Sequence, residues 1–145
     1  VFVQGCPHNC PGCHNPQTHD FESGRIVDTD ELFRECVDDP LNKGVTFSGG
    51  EPFSQAKELY ELGKRFKERG YDIWCYTGWT MKELWKMAES EYYVGKLMSI
   101  IDVLVDGRFI EERKTFSLPF RGSENQRLIN MKMTLEENMV ITYIL

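Results

Sequence analysis

Basic runs, long apolar runs and an even set of cysteines are all missing from this sequence. Its 17 lysines and arginines are outnumbered by 23 aspartates and glutamates, which gives a formal net charge of −6. This charge argues against binding to nucleic acid or to an anionic membrane surface. No apolar run approaches the length needed to cross a bilayer, so no membrane-spanning segment is predicted.

The cysteine count argues against a disulfide framework. There are five cysteines, an odd number, and three of them cluster near the start of the chain. This usage is typical of a protein in the reducing cytoplasm. The length of 145 residues predicts one domain, residues 1–145, that can bury a sizeable core. Because the sequence begins at Val1, already inside a strand-like run, we expect a short segment to precede it.

The clustered cysteines, Cys6, Cys10 and Cys13, have the spacing Cys-x-x-x-Cys-x-x-Cys. Three thiolates are one short of the four that normally hold a [4Fe–4S] cluster, so one iron would be free to bind a small molecule. An open coordination position also distinguishes catalytic from structural zinc sites. The alternative is a zinc loop in which His8 or His14 supplies the fourth ligand.

The two remaining cysteines lie in apolar surroundings in the sequence. Cys36 has apolar neighbours at helical spacing, and Cys75 lies within the apolar run 73–76. Both are predicted to be small buried hydrophobic residues. Either one would close the open iron if it served as a fourth thiolate, and that alternative stays open here.

Strand-like runs alternate with helical patterns along the chain. Strands are predicted over residues 1–4, 45–48, 73–76 and 101–105, and helices over 29–37, 54–69 and 80–89. Two further strands are predicted over 127–131 and 139–145, separated by the polar stretch 134–138. This alternation is typical of βαβ units and a parallel sheet. Since four or five units cannot close an eight-stranded barrel, the predicted fold is α/β, a partial, open (β/α) barrel.

A second motif, Gly49-Gly50-Glu51-Pro52, follows the strand at 45–48. The carboxyl ends of parallel strands collect at one edge of a sheet, so this turn and the cysteine loop are expected side by side. The glycines would let a ligand approach the backbone, and Glu51 would accept a charge-assisted hydrogen bond from an ammonium group. The alternative is an ordinary strand-to-helix turn with Glu51 near the helix start.

Together the two motifs resemble the radical S-adenosylmethionine (SAM) enzymes. The resemblance implies that Cys6, Cys10 and Cys13 hold a catalytic [4Fe–4S] cluster whose fourth iron binds SAM. It also implies that the glycine-rich turn, residues 49–51, contacts SAM. One-electron reduction then cleaves SAM to methionine and a 5′-deoxyadenosyl radical, which abstracts a hydrogen atom.

This sequence departs from the superfamily pattern at one position, which many members use to contact adenine. Many of these enzymes carry an aromatic residue just before the third cysteine, whereas this chain has Gly12. The strand end at Tyr76 and Thr77 is therefore the candidate for contacting adenine. Simple core packing of Tyr76 is the equal alternative.

Five segments resemble, more narrowly, the activating proteins of anaerobic ribonucleoside-triphosphate reductases, a group of glycyl-radical activases: residues 2–6, 10–15, 47–52, 103–109 and 121–127. They span most of the chain, and Gly12 belongs to the Cys-Pro-Gly-Cys of that group. The resemblance implies that the protein installs a radical on a glycine of the reductase large subunit. It further implies a flavodoxin or ferredoxin as the reductant.

Three other functions remain as alternatives. These are an activase of another glycyl-radical enzyme such as pyruvate formate-lyase, a radical SAM enzyme acting on a small molecule, and a metal-binding module without catalysis. Among the loop histidines, His14 is the leading candidate for a role. Asp106, Arg121, Asn125 and Gln126 are each open between a ligand or partner contact and a structural role.

Overall fold

The computed structural model describes all residues of the chain, 1–145, as one five-stranded sheet with helices on one face. The strands are β1 (Phe2–Val3), β2 (Gly44–Gly49), β3 (Asp72–Tyr76), β4 (Val103–Asp106) and β5 (Arg127–Asn130). The helices are α1 (Thr29–Asp38), α2 (Ala56–Glu68), α3 (Met81–Ala88), α4 (Tyr92–Ile100) and α5 (Met131–Glu137). Short 3-10 turns occur at Pro16–Thr18, Pro52–Gln55 and Glu111–Arg113.

The strands lie in the sheet in the same order as in the chain. Strands β1 to β4 are parallel, and β5 runs antiparallel to β4. Parallel strands joined in this order by right-handed crossovers place every connecting helix on the same face of the sheet. The opposite face is therefore left without a helical layer.

The two faces of the sheet bury different sets of side chains. The register aligns Phe47, Cys75, Leu104 and Ile129 across four strands on the helical face, and all four are fully buried. They belong to a core of 19 buried residues that also includes the inner sides of α2, α3 and α4. The opposite face carries a small cluster of Val103, Val105 and Leu128, against which Trp74 and Tyr76 pack.

Most elements predicted from sequence are present. The four strands of the βα pattern and the helices over 29–37, 54–69 and 80–89 are confirmed with small shifts at their ends. Thr80 caps α3 with the reciprocal hydrogen bonds of a capping box to Glu83. In α2 the predicted apolar stripe is buried at Leu59, Gly63 and Phe66.

The prediction for the end of the chain is wrong in two respects. Residues 139–145 form no strand and contribute only an isolated bridge between Thr142 and Ile129. The polar stretch 134–138, predicted only to separate two strands, contributes residues 134–137 to α5 and ends at the cap residue Asn138. Helix α4 was not predicted at all. The sheet is open, since β1 and β5 do not pair with each other, and its last strand is antiparallel.

Candidate functional site

A cleft of about 230 Å³ lies at the carboxyl ends of the parallel strands, where the sequence predicts a site. The loop that follows β1 lines it with Cys6, Cys10 and Cys13. The carboxyl ends of β2 and β3, with the residues that follow them, contribute four more predicted residues, namely Gly49, Gly50, Tyr76 and Thr77. All three thiols thus share one cleft with the predicted SAM-contacting segments.

Main-chain hydrogen bonds hold the cysteine loop against its own base. The N–H of Gly5 donates to Thr18 O at 2.8 Å, and the N–H of Cys6 donates to His19 O at 3.1 Å. Within the loop, the N–H of Cys13 donates to Cys10 O at 3.2 Å. The loop therefore returns to β1 as a closed unit, and its three thiols project from ordered backbone.

Gly49 and Gly50 are needed because two chain segments meet there. Gly49 has a φ of +97°, and a Cβ on it would lie 2.5 Å from the backbone of Val3. A Cβ on Gly50 would overlap the carbonyl oxygen of Gly5 and lie 2.9 Å from Thr18 O. The N–H groups of Gly50 and Glu51 donate to Val3 O and Gly5 O, each at 2.8 Å. The two glycines thus let the turn dock directly onto the base of the cysteine loop.

Glu51 lies beneath the cleft and not on its surface. It is fully buried, and neither of its carboxylate oxygens is free. Oε1 accepts from His8 Nε2 at 2.7 Å, from Thr77 Oγ1 at 2.8 Å and from the N–H of Gly78 at 2.8 Å. Oε2 accepts from the N–H of Phe53 at 2.8 Å. The carboxylate therefore links the cysteine loop, its own turn and the end of β3.

The cleft thiols are partly shielded from solvent. Burial raises the pKa of the Cys6 thiol, and the N–H groups of His8 and Asn9 oppose that shift. Burial also raises the pKa of Cys10, against the N–H of Phe109 and the positive charge of Arg108. The N–H of Asn15 donates to Cys13 Sγ at 3.4 Å. Since a metal binds the thiolate, these N–H groups are placed to stabilise the liganded form.

The connection between β4 and β5 forms the far wall of the cleft. Gln126 lines the cleft, and its Oε1 accepts from the N–H groups of Gly122 and Ser123 at 2.8 and 3.1 Å. Its Nε2 donates to Gly107 O at 3.0 Å. Asn125 donates to Arg108 O at 2.8 Å and accepts from Ser123 Oγ at 2.6 Å. This polar network fixes the wall, and it gives Asn125 and Gln126 a structural role.

Asp106 and Arg121 lie outside the cleft. Asp106 is buried and accepts two hydrogen bonds from Arg127, Nε to Oδ1 at 3.0 Å and Nη2 to Oδ2 at 2.6 Å. It also accepts from the N–H of Met81 at 2.9 Å, at the start of α3. Arg121 donates to Pro119 O at 3.1 Å within its own loop. Asp106 therefore ties β4, β5 and α3 together.

Neither of the other cysteines lines the cleft. Cys75 is fully buried in the core on the helical face of β3, as predicted. Cys36 is only partly buried and packs against that core from α1. All five cysteines are unpaired.

The donor set fits a cluster better than a single ion. A tetrahedral zinc site brings its ligand atoms within ~2.3 Å of one point. No group of three or more His, Cys, Asp and Glu side chains in the chain converges in that way. Three thiols on one cleft are instead the donor type that holds an iron–sulfur cluster.

The comparisons with known proteins agree with this geometry. The family model described as a 4Fe-4S single cluster domain matches residues 1–129. The anaerobic ribonucleoside-triphosphate reductase-activating protein of Haemophilus influenzae is 34% identical over 142 residues, covering 92% of this chain and 87% of that protein. The protein of the same name from Vibrio cholerae is 36% identical over 134 residues, covering 87% and 83%. The one from Enterobacteria phage T4 is 29% identical over 136 residues, covering 88% and 80%.

This chain belongs to the anaerobic ribonucleoside-triphosphate reductase-activating protein family. The narrower resemblance inferred from five segments of the sequence is thereby confirmed. In this member of the family, sequence reasoning offered His8 only as a possible fourth zinc ligand and missed its contact with Glu51. Its side chain is 3% exposed and is hydrogen-bonded to a carboxylate 43 residues away in the chain. No local spacing signals that contact, whereas His14, the favoured histidine, packs its ring 5.1 Å from that of Phe109.

Proposed function

We propose that this protein is a radical SAM activase that generates a glycyl radical on an anaerobic ribonucleoside-triphosphate reductase. The proposal depends on one observation above all. Cys6, Cys10 and Cys13 are the only cysteines on the cleft, which leaves an iron–sulfur centre there one protein thiolate short. Membership of a family named for activating that reductase supplies the target.

Different residues around the cleft would hold the two bound groups, the cluster and SAM. Cys6, Cys10 and Cys13 would hold the [4Fe–4S] cluster, and SAM would lie beside it against the turns after β2 and β3. The proposed SAM contacts are Gly49, Gly50, Tyr76 and Thr77. Glu51 belongs to the same segment but lies beneath the cleft and supports these contacts from below. When bound, the cluster supplies the electron that cleaves SAM to a 5′-deoxyadenosyl radical, which takes a hydrogen atom from the target glycine.

The open face of the sheet suits a protein substrate. No helix covers that face, and the strand order matches that of a partial (β/α) barrel, which is the architecture we propose for the single radical SAM domain of residues 1–145. The connection between β4 and β5 crosses it, where the carbonyl of Phe120 accepts from Tyr76 Oη at 2.8 Å. Near the end of the chain, Tyr143 packs against Trp74 on the same face, with ring centroids 5.7 Å apart. A glycine-bearing loop of the reductase has a route to the cleft along this face.

The reductant and the compartment follow from the same chemistry. We propose a flavodoxin or a ferredoxin as the one-electron donor. Five unpaired cysteines, three of them at the cleft, suit the reducing cytoplasm. None of the helices combines the length and the apolar character needed to cross a membrane.

Electron paramagnetic resonance tests the proposal directly. The reconstituted, anaerobically reduced protein is mixed with SAM and the reductase large subunit, and a glycyl radical doublet is expected. Cys10→Ala should abolish both the doublet and SAM cleavage, whereas the control Cys36→Ala should keep both. SAM cleavage without a doublet on the reductase, but with one on pyruvate formate-lyase, would reassign the target. No effect of SAM on the cluster signal would remove the enzyme class.

A further inference from the structure

Glu51 is surrounded on every side by protein donors. Its carboxylate accepts four hydrogen bonds, and none of its surface reaches the cleft. Three donors saturate Oε1, and Oε2, which accepts one hydrogen bond, is buried as well, so neither oxygen is exposed to a ligand in the cleft. Direct contact with the amino group of SAM would require the protein groups that cover the carboxylate to move first.

His8 is the donor that connects Glu51 to the metal site. It lies midway between Cys6 and Cys10, and its Nε2 must carry the hydrogen because a carboxylate can only accept. The ring edge packs against Trp79 with centroids 4.5 Å apart and an interplanar angle of 75°. One side chain thus fixes the segment that carries two of the three thiols.

Gly78 provides the room that the His8 ring occupies. A Cβ at position 78 would overlap the ring and lie 2.6 Å from His8 Nε2. The same Gly78 donates its N–H to Glu51, and Thr77 Oγ1 accepts from the N–H of Trp79 at 3.1 Å while donating to Glu51. The end of β3 is therefore shaped around the contact between His8 and Glu51.

We propose that His8 and Glu51 are positioning residues that hold the cysteine loop in its ligand-ready shape. Glu51 serves the SAM site through His8, Thr77 and Gly78, and it does not contact the ligand itself. This inference rests on the proposed function, since it assigns the role of Glu51 within that site. The alternative is that His8 only occupies the acceptor oxygen of Glu51 until the amino group of SAM displaces it.

Hydrogen exchange in the metal-free protein tests the positioning role without any catalytic readout. His8→Leu removes the donor, and the amides of residues 6–10 should exchange about tenfold faster or more, as expected for losing a charge-assisted hydrogen bond. His8→Gln keeps an N–H donor at similar reach and should restore most of the protection. His14→Leu makes the same change in the same loop but outside the Glu51 network, so residues 6–10 should keep their protection.

The direction in which His8→Leu changes the SAM affinity of the reconstituted protein distinguishes these two alternatives. If His8 positions the loop, His8→Leu weakens SAM binding about tenfold or more and His8→Gln rescues it. If His8 is a placeholder, His8→Leu removes a competitor and SAM binds more tightly. Should His8→Leu not fold, His8→Asn is too short to reach Glu51 and serves in its place.

Each outcome decides something definite. Unchanged exchange over residues 6–10, or tighter SAM binding, would overturn the positioning role. If the wild-type protein binds no SAM at all, the proposed function fails. The exchange data on the metal-free protein would then still decide whether His8 anchors the loop.

Discussion

Replacing Gly50 by alanine separates two reasons for a glycine at that position. If the glycine only admits a ligand, Gly50→Ala should leave the metal-free protein unaffected. The structure assigns it to the contact between two chain segments, because a Cβ there would overlap Gly5 O and lie 2.8 Å from the carbonyl carbon of Gly5. Moving Gly5 O, the atom that overlaps most, out to the 3.4 Å of ordinary contact requires the base of the cysteine loop to retreat by about 1.1 Å.

That retreat has an estimable free-energy cost. Overpacking of this kind costs ~1–3 kcal/mol. The hydrogen bond from the N–H of Glu51 to Gly5 O, now 2.8 Å, weakens as well, at a cost of ~0.5–1.5 kcal/mol. Alanine also gives the unfolded chain less conformational entropy than glycine does, and this offsets ~0.4–1 kcal/mol of the cost. The free energy of unfolding should therefore fall by about 0.5–4 kcal/mol. Such a loss lowers Tm by roughly 2–13 °C for a domain of this size.

Gly95→Ala is the matched control. Gly95 lies within α4, and a Cβ there would meet only the Cβ of Ala88 at 3.7 Å. The same substitution should stabilise the protein by ~0.5–1 kcal/mol. Urea unfolding of the metal-free proteins and iron content after anaerobic reconstitution measure both variants. A wild-type midpoint and a full iron complement in Gly50→Ala would refute the reasoning.

Three further predictions follow from individual contacts. Asp106→Ala should lower the free energy of unfolding by about 2–3 kcal/mol in urea, because it strips a buried acceptor from Arg127 and Met81; a loss below ~1 kcal/mol would contradict this. The N–H of Thr80 lowers the pKa of Glu83 from its usual 4.5, so this contribution to stability is present above that pH and lost as pH falls below it. Thr80→Ala keeps this backbone N–H, so the NMR titration midpoint of Glu83 should stay below its usual value, and a return to the usual value would contradict the backbone origin of the shift. Burial raises the pKa of the Cys75 thiol well above its ordinary value, so iodoacetamide at pH 8 should modify the half-buried Cys36 and spare Cys75 until the protein unfolds.

The strands and the cysteine cleft could be predicted because their signals are local. Apolar runs such as 45–48 and 73–76 repeat at a βα interval, and parallel strands bring their carboxyl-end loops together. The capping box at Thr80 and the stripe of α2 are equally local. For these features, the pattern of nearest neighbours and the tertiary structure favour the same result.

Helix α4 was missed because its signals are weak when taken alone. Tyr92–Ile100 contains a glycine and two adjacent tyrosines, and Glu91 makes no side-chain cap. Its buried residues, Val94, Leu97 and Met98, join the core that α2 and α3 also line. Tertiary packing, and not local propensity, stabilises this helix.

The chain end and His8 depend on partners that are distant in sequence. The polar segment of α5 is helical because Asn130 caps it and the buried Thr134 exchanges hydrogen bonds with Ile141. His8 is positioned by Glu51 and Trp79, which the spacing of the cysteines does not reveal. Contacts of this kind emerge only once the strands have brought their ends together.

Iron should be removable from this protein without unfolding it. The core of 19 buried residues draws only Val3 from the first twenty residues, so the domain does not depend on a metal for its packing. The cysteine loop is already held by Gly5, Cys6 and His8 through the hydrogen bonds to Thr18, His19 and Glu51. Most of the ordering cost of ~1–2 kcal/mol per residue is thus met by the folded protein before metal binds. A chelator should lower the unfolding midpoint through lost binding free energy while far-ultraviolet circular dichroism stays native. A loss of helical signal on chelation would show that this metal folds the domain, as zinc does in zinc fingers.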